Sequence, residues 1–101
     1  MKNRKSDPDL HELKILPKYF QAVRNGNKTF ELRKHDRDYK VGDYLLLREY
    51  DNGDYTGSFM KVVITYILKD CPEYGLYKDY CILSFRSAAA VSCNKDPLLV
   101  D

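Results

Sequence analysis

Three ionisable residues that lie close together in the sequence, Lys28, Glu31 and Arg33, have side chains suited to binding a nucleotide. Lys28 offers a point charge for phosphate, and Arg33 offers a planar guanidinium that can grip phosphate or stack on a base. Glu31 offers an acceptor for a base amino group. In a strand Glu31 and Arg33 project to the same face, so the three groups could meet at one cleft. The alternative is structural, because Glu31 and Arg33 could simply pair with each other or across the sheet.

Tyrosine is the second feature of the sequence that suits nucleic acid, with nine tyrosines and no tryptophan. A base stacked on an aromatic ring gains ~1 to 3 kcal/mol. Most of the nine are expected in the core or at its rim, and the preferred candidates for stacking are Tyr39, Tyr44 and Tyr50. The predicted residues for binding RNA or a nucleotide are therefore Lys28, Glu31, Arg33, Tyr39 and Tyr44.

Cysteine and histidine give no sign of a metal site. Cys71, Cys81 and Cys93 form no CxxC pair and have no histidine at the spacing of a zinc finger, which argues against zinc and against a disulfide framework. Cys81 lies within an apolar run and is expected to behave as a small hydrophobic residue. His11 and His35 are isolated in the sequence. No cofactor, metal or confident catalytic residue is predicted.

Composition favours one soluble domain. The chain has 101 residues, of which 44% are hydrophobic and 32% charged, as in a globular protein. No apolar run approaches the ~20 residues of a membrane span, and the charged N-terminus lacks a secretory signal, so a cytoplasmic location is expected and no membrane partner. Residues 1–40 hold eleven Lys or Arg against six acids. If these basic residues share a face after folding, they would attract a polyanion.

The apolar pattern predicts the first two elements. Residues 11–16 alternate polar and apolar, which predicts a strand. Pro17 follows at a position suited to the first turn of a helix, and Tyr19, Phe20 and Val23 give that helix one apolar face. We therefore predict a short helix from about 17 to 25, docked by its aromatic side chains.

The segment that carries the candidate residues also alternates. In residues 29–33, Phe30 and Leu32 fall on one side of the predicted strand, while Glu31 and Arg33 fall on the other. The apolar side is expected to face the core. The charged side would then face solvent.

Three further strands are predicted at residues 44–50, 58–68 and 80–85, with a turn at 51–54. The run 58–68 is apolar on both sides, and one face carries Met60, Val62, Ile64, Tyr66 and Leu68. The fold class is thus a small β-barrel with one early helix (α+β), built from five or six mostly antiparallel strands. Residues 11–86 form the domain, after a charged segment at 1–10 and before a tail at 87–101 that is either mobile or a short cap.

The octet from Gly26 to Arg33 reads GNKTFELR and resembles the GxKxxExR signature of the ASCH (activating signal cointegrator homology) family, in the PUA-like superfamily. Flanking segments agree, among them residues 41–43 and 64–68, and the likeness spans about residues 11–86. It is similar to a bacterial and phage subfamily of unassigned function. The resemblance implies a PUA-like barrel with a cleft beside the motif that holds RNA, a nucleotide or a modified nucleoside.

Two other function classes stay open. One ASCH branch resembles an amidohydrolase of acetylated cytidine, whose nucleophile is a threonine three residues after the motif lysine; here that position holds Glu31, and Thr29 would project differently. A ribonuclease would need acid and base groups, which His35, Lys28 and Glu31 could supply. The third class is a protein-interaction or regulatory domain. Enzyme activity is not the favoured interpretation, and a monomer is favoured.

Overall fold

The structure is a computed structural model, and it describes residues 7–88. The described elements are β1 (Leu10–Ile15), α1 (Pro17–Arg24), β2 (Phe30–Lys34), β3 (Tyr44–Asp51), β4 (Asp54–Leu68), a 3-10 turn (Pro72–Tyr74) and β5 (Tyr80–Ser87). The predicted helix and strands are thus confirmed as elements. The predicted tail lies outside the described residues from residue 89 onward, as does most of the charged N-terminal segment. None of the described helices is long and apolar enough to cross a membrane.

The five strands form one curled sheet in the order β1-β3-β4-β5-β2. β1 runs parallel to β3, and the other three pairs are antiparallel. The predicted strand-rich, barrel-like class with one early helix is confirmed, but the sheet is a half-barrel in which β1 and β2 are the two edge strands. Arginine side chains reach from the β2 side to the β1 edge. Arg33 donates through Nη2 to the carbonyl oxygen of Lys14, and Arg37 Nη1 lies 3.5 Å from that of Glu12.

The core lies inside the curl and under the helix. Pro17 starts α1, where its missing N–H costs no hydrogen bond. The helix buries Phe20 and Val23, and Gly26 follows with a φ of 80° that favours glycine. The core is made of these side chains with Leu13, Ile15, Tyr39, Leu45, Leu47, Val62, Ile64, Cys81, Leu83 and Phe85. Cys81 is fully buried, as predicted, and burial raises the pKa of its thiol.

The β3–β4 hairpin is longer than predicted. Its turn uses Asn52 and Gly53, both with positive φ, which matches the twist of a two-residue hairpin connection. β4 therefore begins at Asp54 rather than at residue 58. The predicted face of β4 is correct for Val62 and Ile64, but an irregularity between Ile64 and Tyr66 interrupts the alternation. Tyr66 is consequently 61% exposed.

The orientation of β2 is opposite to the prediction. Phe30 and Leu32 are 42% and 54% exposed, whereas Glu31 is only 4% exposed. β2 pairs with β5 so that Glu31 stands opposite Leu83, a fully buried residue. Since a shift of one residue exchanges the two faces of a strand, this pairing turns Glu31 inward and its apolar neighbours outward. The expectation that Phe30 and Leu32 face the core was wrong.

Candidate functional site

The buried carboxylate of Glu31 joins the two predicted cations. Its Oε2 accepts a hydrogen bond from Lys28 Nζ at 2.6 Å, and its Oε1 accepts one from Arg33 Nε at 3.0 Å. The three residues therefore meet, as their spacing predicted, and they do so through ion pairs. Opposite charges at both oxygens offset the cost of burying the carboxylate.

Lys28 is held at this position by the end of the helix. Its backbone N–H donates to the Ala22 carbonyl at 2.9 Å, and its Nζ also donates to the Phe30 carbonyl at 2.7 Å. The side chain is 16% exposed. Because an ammonium has three N–H donors, a lysine with these two partners can serve one further acceptor. Lys28 is thus a preorganised cation at the surface of the site.

Arg33 has a different position. Its guanidinium lies between Glu31 and the β1 edge, where Nη2 donates to the Lys14 carbonyl. Its side chain is 26% exposed. Arg33 therefore fixes Glu31 and connects the two edge strands, and it presents less of its charge to a ligand than its residue type suggested.

A cavity of about 330 Å³ opens beside this cluster, lined by Tyr19, Lys28, Phe30, Glu31 and Leu32. Its volume is near the lower end for small-molecule sites, which suits a base or a nucleoside. Lys28 Nζ lies 4.9 Å from the centre of the Phe30 ring and 5.6 Å from that of Tyr19. The cavity combines one ammonium, one carboxylate and two aromatic walls.

Tyr19 and Phe30 were not predicted as site residues. Both were assigned to buried apolar faces, yet Tyr19 is 42% exposed and Phe30 is equally so. The orientation of β2 that buries Glu31 also places Phe30 at the surface. The sequence contains a signal for this orientation of β2. A glutamate that alternates with two apolar residues can face the core when cationic neighbours pair with it, so the alternation alone fits either orientation of the strand.

The predicted tyrosines lie elsewhere. Tyr39 is a core residue, 5% exposed, with its ring edge-on to His11 at 4.8 Å. Burial raises the pKa of its hydroxyl, and such packing leaves little of the ring for a base. Tyr44 lines a separate cavity of about 80 Å³ and lies under Lys61 Nζ at 4.3 Å. The ring of Tyr50 lies 4.4 Å from Lys14 Nζ.

A second buried carboxylate, Asp43, was not predicted to be part of any cluster. Its Oδ1 accepts from the Asp9 backbone N–H at 3.1 Å, and its Oδ2 accepts from the Lys40 backbone N–H at 3.0 Å. Oδ2 also lies 2.9 Å from His11 Nε2. Burial raises the pKa of Asp43, but the hydrogen bonds from His11 and from the two backbone N–H groups outweigh it, so this pKa lies below its usual value.

Asp9, His11 and Asp43 have potential metal-ligand atoms that all lie within 4.8 Å of one another. Both oxygens of Asp43 already accept hydrogen bonds from the protein. Lys40 Nζ lies 3.9 Å from an oxygen of Asp9, which disfavours a cation there. The cluster is best explained as the anchor of the turn before β3.

The fold and the site together define a small half-barrel domain with a buried, doubly paired glutamate beside an aromatic cavity. Residues 10–85 match the profile of a family described as a domain of unknown function, DUF3850, and the chain belongs to this family. It is also 45% identical over 56 residues to an uncharacterized 12.9 kDa protein in the GpA 3' region of Escherichia phage P2. That match covers 55% of this chain and 51% of the phage protein, so the chain spans about half the length of this relative. The cluster at residues 28–33 lies inside the family match.

Proposed function

We propose that the protein binds RNA or a nucleotide in the cavity beside Lys28, Glu31 and Arg33, as a domain of the ASCH type in the PUA-like superfamily. The observation that carries the proposal is the cavity itself. It holds an ammonium and a carboxylate between two partly exposed aromatic rings. Aromatic walls with a few placed polar groups are the usual composition of a site for a base.

The residues of the cavity would have separate roles. Lys28 would bind a phosphate or another acceptor of the ligand with its remaining N–H. Glu31 would accept from a base amino group, since a carboxylate has about four lone-pair positions and two hydrogen bonds to it are seen. Tyr19 and Phe30 would stack on the base. Arg33 would hold Glu31 in position.

A nucleotide titration tests this proposal. Parent protein and a Lys28→Ala variant would be titrated with nucleosides, nucleotides and a short single-stranded RNA, with binding followed by NMR shifts of the amides in residues 28–33. We expect Lys28→Ala to weaken all phosphate-bearing ligands alike, by ~1 kcal/mol or more for loss of a charged hydrogen bond. The matched control is Lys78→Ala, in the loop before β5. Equal binding by the parent and Lys28→Ala would refute the proposed site.

Glu31→Gln distinguishes base recognition from simple anion attraction. If Glu31 accepts from a base amino group, Gln should weaken binding of bases that carry one and leave uridine nearly unchanged. If the site only attracts phosphate, removal of the negative charge should strengthen binding of every nucleotide. Comparison of cytidine and uridine monophosphates separates the two outcomes.

Hydrolysis is the alternative function, and the geometry gives it less support. The position that would hold the nucleophile in the amidohydrolase branch is Glu31, whose two oxygens are both hydrogen-bonded to cations. We therefore expect no efficient release of cytidine from acetylated cytidine. Chromatography of that reaction after incubation with the parent protein checks this, and rapid turnover would favour the enzyme.

A further inference from the structure

The convex side of the sheet carries a second surface with the chemistry of a nucleic-acid site. β1, β3 and β4 pair so that Lys14 stands beside Arg48, and Arg48 beside Phe59. Directly opposed residues in neighbouring strands project from the same face. Leu13 and Leu47, the residues next to them in the chain, are buried, so this face is directed away from the core. We call it the outer face.

Three cations of the outer face each lie close to a tyrosine ring. Lys14 Nζ lies 4.4 Å from the centre of the Tyr50 ring, and the Arg48 guanidinium carbon lies 3.8 Å from that of Tyr55. Lys61 Nζ lies 4.3 Å from the centre of the Tyr44 ring. The rings of Tyr50 and Tyr55 also touch, with centres 5.1 Å apart. Each of the three cations therefore lies beside an aromatic ring, and together they span three adjacent strands.

The charge of this face favours an anionic ligand. Three rows of directly opposed residues cross this face, each with one residue from β1, one from β3 and one from β4. The rows are Leu10, Tyr44 and Val63; Glu12, Leu46 and Lys61; and Lys14, Arg48 and Phe59. They contain three cations and one carboxylate, that of Glu12, which lies 3.4 Å from Arg48. The aromatic side chains are accessible as well, since Phe59 is 62% exposed and Tyr55 is 43% exposed. An apolar protein partner would have to bury the charges of this face, which is costly.

We infer that the outer face of β1, β3 and β4 binds single-stranded nucleic acid over several nucleotides. Phosphates would contact Lys14, Arg48 and Lys61, and bases would stack on Phe59 and on the neighbouring tyrosines. A sheet face that combines aromatic rings with basic side chains is a recurrent platform for single strands, because every nucleic-acid base has a π-face. Duplex RNA cannot stack on the rings in this way, since its bases are already stacked on one another. The inference goes beyond the cavity at Lys28 and stands if no nucleotide binds there.

The test measures the affinity of a labelled single-stranded RNA of about eight nucleotides, a length within the range of site sizes for such surfaces. The test variant combines Arg48→Gln with Tyr55→Leu. Its matched control combines Lys78→Gln with Tyr77→Leu, which likewise removes one cation and one ring, in the β4–β5 loop, where Tyr77 is 77% exposed. Circular dichroism and thermal unfolding would establish that both are folded. Lys61→Glu, which changes another of the three cations, is a second test if the double variant does not fold.

We expect the outer-face variants to bind at least about tenfold more weakly and the control to bind like the parent. The slope of log affinity against log salt should become less steep by about 0.7 for each phosphate that the variant no longer binds. The outer-face variants should bind a mononucleotide in the cavity like the parent, whereas Lys28→Ala should weaken that binding. The experiments can therefore refute one proposed site without refuting the other.

Three results would overturn the inference. The first is an outer-face variant that is folded and binds the single strand as tightly as the parent does. The second is a duplex RNA of the same length that competes as well as the single strand, because attraction would then be to phosphate alone. A short oligonucleotide that binds no more tightly than a mononucleotide would also contradict an extended surface.

Discussion

Glu31 and Asp43 are two buried carboxylates with nearly equal exposure, 4% and 3%, but with different partners. Asp43 accepts from two backbone N–H groups and lies against His11. Glu31 accepts from the ends of two long side chains, Lys28 and Arg33. Backbone donors cannot move without unfolding the turn, whereas lysine and arginine side chains can rotate toward a ligand or water. Burial alone therefore does not separate a structural carboxylate from one in a candidate site, but the mobility of its partners does.

The position of each carboxylate in the fold agrees with this distinction. Asp43 links the segment before β1 to the turn before β3, since its partners are Asp9, His11 and Lys40. It thereby supports the only parallel strand pair among the described strands. Glu31 lies on the edge strand β2 and lines an open cavity. We expect Asp43 to determine stability and Glu31 to determine binding.

Of the two carboxylates, Asp43 is expected to have the larger effect on stability when it is replaced by alanine. The change leaves two backbone N–H groups and the buried His11 without their acceptor, so the free energy of unfolding should fall by ~3 kcal/mol or more. Urea denaturation of the parent and variant measures it. Asp38→Ala is the control, because that side chain is 87% exposed and should matter little. A decrease below ~1 kcal/mol would show that Asp43 does not anchor the turn.

Glu31→Ala should lower the free energy of unfolding by a smaller amount, ~1 to 2 kcal/mol, because both partners of Glu31 can reach water when the carboxylate is removed. The side chains of Lys28 and Arg33 are already 16% and 26% exposed. The same denaturation experiment gives the value. If Glu31→Ala proves as costly as Asp43→Ala, the contrast between fixed and mobile partners is wrong.

Most of the elements could be predicted from the sequence, because their signals are local. The alternation in β1, the proline and aromatic residues of α1, and the turn at Asn52-Gly53 each depend on neighbours in the chain. The meeting of Lys28, Glu31 and Arg33 could also be predicted, since the three lie within six positions.

What could not be predicted depends on distant pairing. His11 and Asp43 are 32 residues apart, and the sequence gives no sign that the parallel pairing of β1 with β3 brings them together. The burial of Tyr39 follows from its contact with His11 and the core, and is likewise non-local. The orientation of β2 depends on its register with β5, which the pattern in residues 29–33 does not specify.

The pH dependence of stability tests the structural role of Asp43 through a smaller effect. The pKa of Asp43 is lowered from its usual value of 3.8, because hydrogen bonds from His11 and the backbone outweigh burial. A carboxyl with a lowered folded-state pKa stabilises the protein fully above its unfolded pKa and loses that contribution as pH falls through the folded value. Unfolding free energy measured at a series of pH values should therefore decrease below about pH 4 in the parent. The decrease should be shallower in Asp43→Asn, and equal slopes in the two proteins would contradict the role of this carboxylate.

The smallest expected effect concerns the outward side of β2. Leu32 belongs to the apolar pair that the sequence assigned to the core, but it is 54% exposed, whereas Leu83 on the neighbouring strand is fully buried. Leu32→Ala should therefore lower the free energy of unfolding by only about 0.5 kcal/mol, as for other surface changes. The matched change Leu83→Ala should cost ~2 to 5 kcal/mol, because it leaves a cavity in the core beside Glu31. Chemical denaturation of the two variants measures both values. Equal costs would mean that Leu32 is buried, that β2 faces the other way, and that Glu31 points to solvent. A large difference would instead support the inward position of Glu31, on which its contrast with Asp43 depends.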